Sequence, residues 1–254
     1  MPAHPEVPRP TPRMLLALRE ILLLGGLLLA YSAVRLTAVD DQWLADRHAD
    51  TVLGLERLLH IDVEAAVNGA LARMPRLEVL ASYWYAALHY TVTPLALVLV
   101  YRRRPRYYRR MRAALVVPTA VALIGYVTFP TAPPRLLGGY TDSLLATADL
   151  GWWSGEGSAV QGAASAVNQF AAMPSMHVGW ALWCSLVFWQ LARGHLQRAL
   201  AAAYAPGTAL VVIATGNHWV LDVLAGAVLV AVAWELAVVR RDAPDGRIQG
   251  AAAG

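Results

Sequence analysis

The chain has 254 residues, 57% of them hydrophobic and only 15% charged, with a mean hydropathy of +0.45. Soluble domains carry about a quarter charged residues, so this deficit, with its long uncharged runs, excludes an ordinary soluble domain and indicates an integral membrane protein. The formal net charge is +4, every one of the 21 basic side chains is Arg, and the lone Cys184 excludes an internal disulfide or a cysteine-built zinc cage.

In chain order, residues 1–13 read as a disordered Pro-rich tail. Residues 14–36 form the first apolar stretch, with Arg19 and Glu20 about a turn inside its start, where they can snorkel or pair. It is too long, and too poor in a small-residue cleavage site, for a signal peptide, and reads as a retained anchor helix. Residues 37–77 hold more acids (Asp40, Asp41, Asp46, Asp50, Glu56, Asp62, Glu64) than bases. Their apolar positions (Leu44, Val52, Leu55, Leu58, Leu59, Val63, Ala66, Val67, Ala70, Leu71) recur at helical spacing, which predicts one or two amphipathic helices on the outer surface, ended by Pro75.

Five more apolar stretches follow at 79–101, 113–130, 175–192, 197–214 and 219–239, each near the roughly 17–25 residues of a spanning helix. Pro206 and Gly207 make the fifth of the six the weakest. Residues 131–172, with Trp152 and Trp153, suit an interfacial loop or short re-entrant element. The expected fold is all-α: a polytopic six-transmembrane-helix bundle in one membrane-embedded domain, 14–241, followed by a disordered tail, 242–254.

The arginines orient this bundle. After Tyr101, the connection Arg102–Arg112 holds seven Arg in eleven residues and no acid. Arg9 and Arg13, Arg193 and Arg198, and Arg240, Arg241 and Arg247 fall on the same side of a six-helix arrangement. The positive-inside rule makes that side, with both termini, cytoplasmic in the cell membrane. A nucleic-acid partner is the weaker reading of the Arg run, because membrane-flanking Arg is expected.

The opposite side receives the polar groups that can do chemistry. His177 opens the fourth stretch in Met173-Pro174-Ser175-Met176-His177, and His218 opens the sixth in Gly216-Asn217-His218-Trp219-Val220-Leu221-Asp222. Asp222 lies four residues after His218, on the same helix face, where it can orient and charge-stabilise the imidazole. Arg135, in Pro130-Thr131-Ala132-Pro133-Pro134-Arg135, lies just outside the third stretch. Convergent ionisable groups at a bundle mouth are a functional-site hypothesis. Metal-free phosphoryl transfer fits them: one histidine attacks phosphorus, another protonates the leaving oxygen, and a guanidinium holds the phosphoryl oxygens. The alternatives are a structural His218–Asp222 pair, an interfacial-anchor role for Arg135, and a non-catalytic transporter or phospholipid-binding protein. His89 reads as a buried interhelical histidine, and His48 and His60 as solvated; no His-x-x-x-His or Cys-x-x-Cys spacing supports zinc.

These three motifs, over roughly 79–239 and most specifically within 129–222, resemble the signature of the type 2 phosphatidic acid phosphatase superfamily, and most of all its inositol phosphorylceramide synthase-like branch, common in actinobacteria. The resemblance implies His218 as nucleophile, Asp222 as its orienter, His177 as general acid, and Arg135 and Ser175 as phosphate ligands. It implies no cofactor and no metal, and a phospholipid or prenyl (di)phosphate substrate, hydrolysed or transferred to an acceptor such as inositol. Two cations of the superfamily pattern are missing. Thr128 stands where a Lys is usual and Val212 where an Arg is usual. Asn217, Tyr126 and Tyr140 are the neutral donors that can compensate, with Asn217 assigned to phosphate binding.

Overall fold

A computed structural model describes residues 42–151, 153 and 169–240, with Glu20, Leu22, Gly25, Gly26 and Leu29 from the first apolar stretch. The two tails and nearly all of the expected anchor helix, 14–36, lie outside the described residues. Among the described residues, seven helices of nine residues or more carry the architecture: α1 (Gln42–Leu59), α2 (Glu64–Ala72), α3 (Pro75–Arg103), α4 (Pro105–Thr128), α5 (Met176–Leu191), α6 (His195–Ala214) and α7 (Val220–Trp234), the last prolonged by a π-helical turn, Glu235–Val239. Among the described residues there is no strand, only an isolated bridge between Thr131 and Ala171.

Four described helices are long and apolar enough to cross a membrane: Pro75–Arg103, Pro105–Thr128, His195–Ala214 and Val220–Val239. The hydropathy reading expected six. Its first span lies outside the described residues, and its fourth is realised as α5, a helix of only 16 residues. At 1.5 Å per residue α5 is about 24 Å long, shorter than a hydrocarbon core of roughly 30 Å. It is the central element, packed against α3, α4, α6 and α7. Trp183, Cys184 and Val187 on α5 are fully buried. The outward faces of its neighbours stay apolar, with Leu95 and Val98 of α3, Val121 and Ile124 of α4 and Val228 of α7 exposed. Lipid tails are as apolar as leucine, so such faces carry no penalty in a bilayer.

The helices run alternately, so the bundle has an arginine end and a histidine end. The arginine run is not a loop. Only Arg104 breaks it, at φ −137° and ψ 52°. Arg102 and Arg103 finish α3, and Pro105 opens α4 at its first position, where its missing N–H removes no helix bond. Pro94, Pro118 and Pro206 lie inside α3, α4 and α6 without ending them. At the arginine end Arg112 pairs with Glu20, which also accepts the Tyr108 hydroxyl at 3.4 Å.

The segment that reads as amphipathic, 37–77, holds α1, α2 and the start of α3. The buried stripe of α1 is Ala45, Ala49, Val52 and Glu56, and that of α2 is Glu64 and Asn68. Leu55, Leu58, Leu59 and Val63 are exposed, an apolar set turned away from the rest of the protein. The small residues of α1 instead pack on Ala132, Phe170, Ala172 and Trp219, forming an apolar lid over the histidine end.

Candidate active site at the histidine end

The segment between α6 and α7 sets the site. Asn217 and His218 both donate their backbone N–H to the Val212 carbonyl, at 3.0 and 3.2 Å, folding the chain back over the end of α6. Gly216 makes the reversal with φ +72°, a region where a side chain is strained. A Cβ there would also meet the Thr141 carbonyl at 3.1 Å and Arg135 Cβ at 3.2 Å. The Gly216 carbonyl accepts the Arg135 N–H at 2.8 Å, which ties the Pro134–Leu136 turn to the loop.

His218 and Asp222 are buried, at 4% and 0% exposure. His218 Nδ1 lies 2.9 Å from the Ala172 carbonyl. A carbonyl only accepts, so this contact assigns the proton to Nδ1 and leaves the lone pair on Nε2. Asp222 Oδ2 stands 3.5 Å from the same Nδ1 and accepts the Trp219 N–H at 2.9 Å. The carboxylate therefore closes the first turn of α7 and faces the imidazole. Asp222 also links the two motifs through its backbone, because its carbonyl accepts the Ser175 N–H at 2.9 Å.

Ser175 is the N-cap of α5, its Oγ accepting the Val178 N–H at 3.5 Å. The preceding turn is held by the Tyr126 hydroxyl, which donates to the Pro174 carbonyl at 2.9 Å. His177 follows on the first turn of α5, and its ring lies 5.7 Å from that of His218, centroid to centroid. Tyr85 stacks on His177 at 4.3 Å, and His89 meets it edge-on at 4.4 Å. This proximity rests on two glycines. A Cβ on Gly226 would overlap the Ser175 backbone, and one on Gly179 would stand 3.2 Å from the Gly226 carbonyl. Small residues let α5 and α7 cross in backbone contact here.

Arg135 Nε donates to Asn217 Oδ1 at 2.9 Å, and Nη1 stands 3.8 Å from Asp142 Oδ2. Asn217 Nδ2 donates to Thr215 Oγ1 at 2.9 Å. The Asn217 amide is thus engaged between Arg135 and Thr215, an orienting position beside the guanidinium.

The structure thus brings His177, His218, Asp222, Ser175, Arg135 and Asn217 to one end of the bundle. Val212 is buried with Val178 and Val223, and Thr128 is exposed with its hydroxyl on Ile124 O. Tyr126 is committed to Pro174, and Tyr140 packs edge-on against Trp219 at 5.8 Å. His48 differs from expectation: it is half-buried, its Nδ1 2.7 Å from the Pro130 carbonyl and its ring stacked on Phe129. His89 lies between helices, its ring against His177, but its Nδ1 is 3.0 Å from the Tyr85 carbonyl of its own helix. Among the described residues no three His, Cys, Asp or Glu side chains group as a metal site.

Three buried polar residues of α1 and α2 have no role assigned by the sequence motifs. Glu56 Oε1 accepts the Leu221 N–H at 2.7 Å, and Glu64 Oε1 accepts the Val220 N–H at 2.8 Å. Asn68 donates to the Ala214 carbonyl at 2.8 Å and to the Thr141 carbonyl at 3.0 Å, and accepts the Thr141 N–H at 2.8 Å. The signal for them was faint: acids at helical spacing, in a segment whose acidity suited a solvated surface.

A family model described as PAP2 superfamily matches residues 50–236. No curated protein and no solved structure matches the chain.

Proposed function

The chain belongs to the PAP2 superfamily, and on that premise we propose that it is a membrane phosphatase or phosphotransferase working through a phosphohistidine at His218. The observation that carries the reading is the facing pair, His177 and His218 at 5.7 Å between ring centroids, with the His218 Nδ1 proton held by the Ala172 carbonyl and Asp222 nearby. His218 Nε2 attacks phosphorus, the bond from phosphorus to the leaving oxygen breaks, and His177 gives that oxygen its proton. Asp222 stabilises the imidazolium character that develops on His218. Arg135, oriented by Asn217, holds the phosphoryl oxygens, and its planar fork suits two of them at once. In the second half, water or an alcohol attacks the phosphohistidine, His177 takes its proton, and the N–P bond breaks.

The substrate class is a lipid phosphate. An apolar groove of about 420 Å³ between α5, α6 and α7 supports this, because Val178 and Val223 line it one residue from His177 and Asp222, and it continues past Leu182 and Ala209 to Trp189. The arginine end is the cytoplasmic side and the site faces outward. Absence of both usual cations, at Thr128 and Val212, favours the synthase-like branch, in which an alcohol such as inositol resolves the intermediate.

The test is phosphate release by the purified protein in detergent with EDTA, from phosphatidic acid and from a prenyl diphosphate, in wild type and His218→Ala. The expected result is metal-independent turnover in the wild type, acid-labile labelling of the protein by ³²P-substrate, and loss of both in the variant. Labelling without phosphate release, relieved by an added alcohol, identifies a transferase. A His218→Ala protein that turns over like wild type sinks the mechanism, and binding without labelling or turnover assigns a binding protein instead.

A further inference from the structure

Glu56 and Glu64 are 0% and 1% exposed. Each turns one oxygen, Oε1, to an N–H of the first turn of α7. Each leaves its other oxygen, Oε2, buried without a hydrogen-bond donor among the described residues. Because those N–H groups belong to consecutive residues, Val220 and Leu221, the two carboxyls are brought beside one another. Two buried carboxylates side by side cannot both remain ionised, and two acceptors without a donor are the arrangement that one shared proton satisfies. Together with Asp222, which takes the Trp219 N–H, these acids satisfy three consecutive N–H groups, Trp219 to Leu221, at the start of the helix that carries the site.

We propose that Glu56 and Glu64 share one proton and act, as a hydrogen-bonded carboxyl pair, as positioning residues that clamp the first turn of α7 and so fix His218 and Asp222 in register. Resting on the phosphohistidine reading for the role of those two residues, the proposal concerns an acid pair that the reaction itself does not touch. A neutral–anionic pair caps the positive end of a helix without two full charges in an apolar lid. The titratable groups facing the pair are Asp222 on α7 and Tyr140 on the adjoining loop, with Arg57 and Asp62 acting in turn on Tyr140. Burial pushes the Glu56 carboxyl up to about 8, Glu64 and Asp222 add to the rise, and the Leu221 N–H opposes it. The same burial, with Glu64 and Glu56 beside it, raises the Tyr140 phenol.

The sign of the pH effect follows. Unfolded, Glu56 releases its proton near 4.5, whereas folded it keeps it to about 8. Between those values the unfolded state binds fewer protons, so stability falls as pH rises through that window. Glu56→Gln keeps an acceptor for the Leu221 N–H and presents an N–H to Glu64 Oε2, the protonated pair in permanent form. The experiment measures Tm from pH 5 to 8 in detergent and kcat and KM on a lipid phosphate, for wild type, Glu56→Gln and Glu56→Ala. The expected result is a Tm that declines with pH more steeply in wild type than in Glu56→Gln. Glu56→Gln turns over within a few-fold of wild type, while Glu56→Ala loses kcat by about 10²-fold, the scale of a 1 Å misplacement, with KM less affected. Parallel Tm–pH curves for wild type and Glu56→Gln overturn the proposal, as does a Glu56→Gln kcat as low as that of Glu56→Ala. His218→Ala in the same Tm series separates the two ideas. If that variant still turns over, the nucleophile assignment fails, while the wild type–Gln difference in Tm slope still decides the acid pair.

Discussion

The two ends of this bundle use charge in opposite ways. At the arginine end Arg102, Arg103, Arg104, Arg106 and Arg109 are exposed, and the Arg240–Glu235 pair is open to solvent at 3.6 Å. Their positions along the sequence carry the information, and their geometry carries little. At the histidine end His218, Asp222, Glu56, Glu64, Asn68 and Asn217 are buried, and each is tied to backbone or to a neighbouring side chain by a defined bond. Surface charges are screened and mobile, whereas a buried polar group without its partner costs about 1–3 kcal/mol. The difference teaches that one end is specified by count and the other by registry. Substitutions should therefore hurt at the histidine end in proportion to the backbone they unseat, and scarcely register at the other.

The sharpest way to break the comparison is Gly226→Ala. The added methyl overlaps the Ser175 backbone, so α5 and α7 must move apart. Overpacking of this kind costs about 1–3 kcal/mol or more, and here it also separates His177 from His218. Turnover is expected to fall by at least about 10²-fold with a lowered Tm. Gly54→Ala, on an exposed turn of α1 with nothing within 4 Å of the added methyl, serves as control and should hold or raise Tm slightly. A Gly226→Ala enzyme with wild-type kcat would show that the backbone crossing does not set the histidine separation.

Next comes the Arg135–Asn217 contact. Arg135→Lys keeps the charge and loses the planar fork, and Asn217→Ala keeps the fork and removes its Nε acceptor. Each should lower kcat/KM by about 10- to 10²-fold, as expected for about 1.4–2.7 kcal/mol of lost transition-state binding. The double variant should lose less than the product of the two, because the residues act as a unit. Simple multiplicativity would mean that Asn217 contacts substrate independently, as the sequence reading had it.

What could be read from sequence follows the same division. Helices α3, α4, α6 and α7 announce themselves by long apolar runs, and His177, His218 and Arg135 by falling at one end of them. Hydropathy counts residues, so it could not tell that the arginine run is two helices meeting at Arg104. Periodicity marks helices in the α1–α2 segment but not which face meets the protein, for a physical reason. In water an amphipathic helix buries its leucines, but beside a bilayer Leu55, Leu58 and Leu59 can face outward while Ala45, Ala49 and Glu56 face the protein. Nothing in a one-dimensional pattern distinguishes a glutamate in solvent from one that caps a helix more than 150 residues away in the chain.

Asn68→Ala probes that long-range tie with a milder effect. It strands the Thr141 N–H and leaves the Thr141 and Ala214 carbonyls without the amide donor. A loss of about 1–3 kcal/mol is expected, read as a lower Tm, with kcat reduced less than by Gly226→Ala because no atom is driven into the site.

The smallest effect on catalysis should come from the arginine end. Replacing Arg102 and Arg103 with Gln removes two exposed charges from the last turn of α3. Each site is expected to change stability by no more than about 0.5 kcal/mol, and correctly inserted enzyme should keep its kcat. What should change is the fraction inserted correctly, since those charges bias orientation rather than hold the fold. A single reporter cysteine settles it. Cys184 is buried, so a cysteine introduced at Asp50, a polar and exposed position of α1, is the accessible thiol for a membrane-impermeant reagent on whole cells. Labelling of that site in the otherwise native chain places the histidine end outside, and a decline in the labelled fraction when Arg102 and Arg103 are neutralised, with kcat per labelled molecule constant, separates topology from chemistry. A drop in kcat per correctly oriented molecule would instead couple the two ends, and the contrast between counting and registry would not hold.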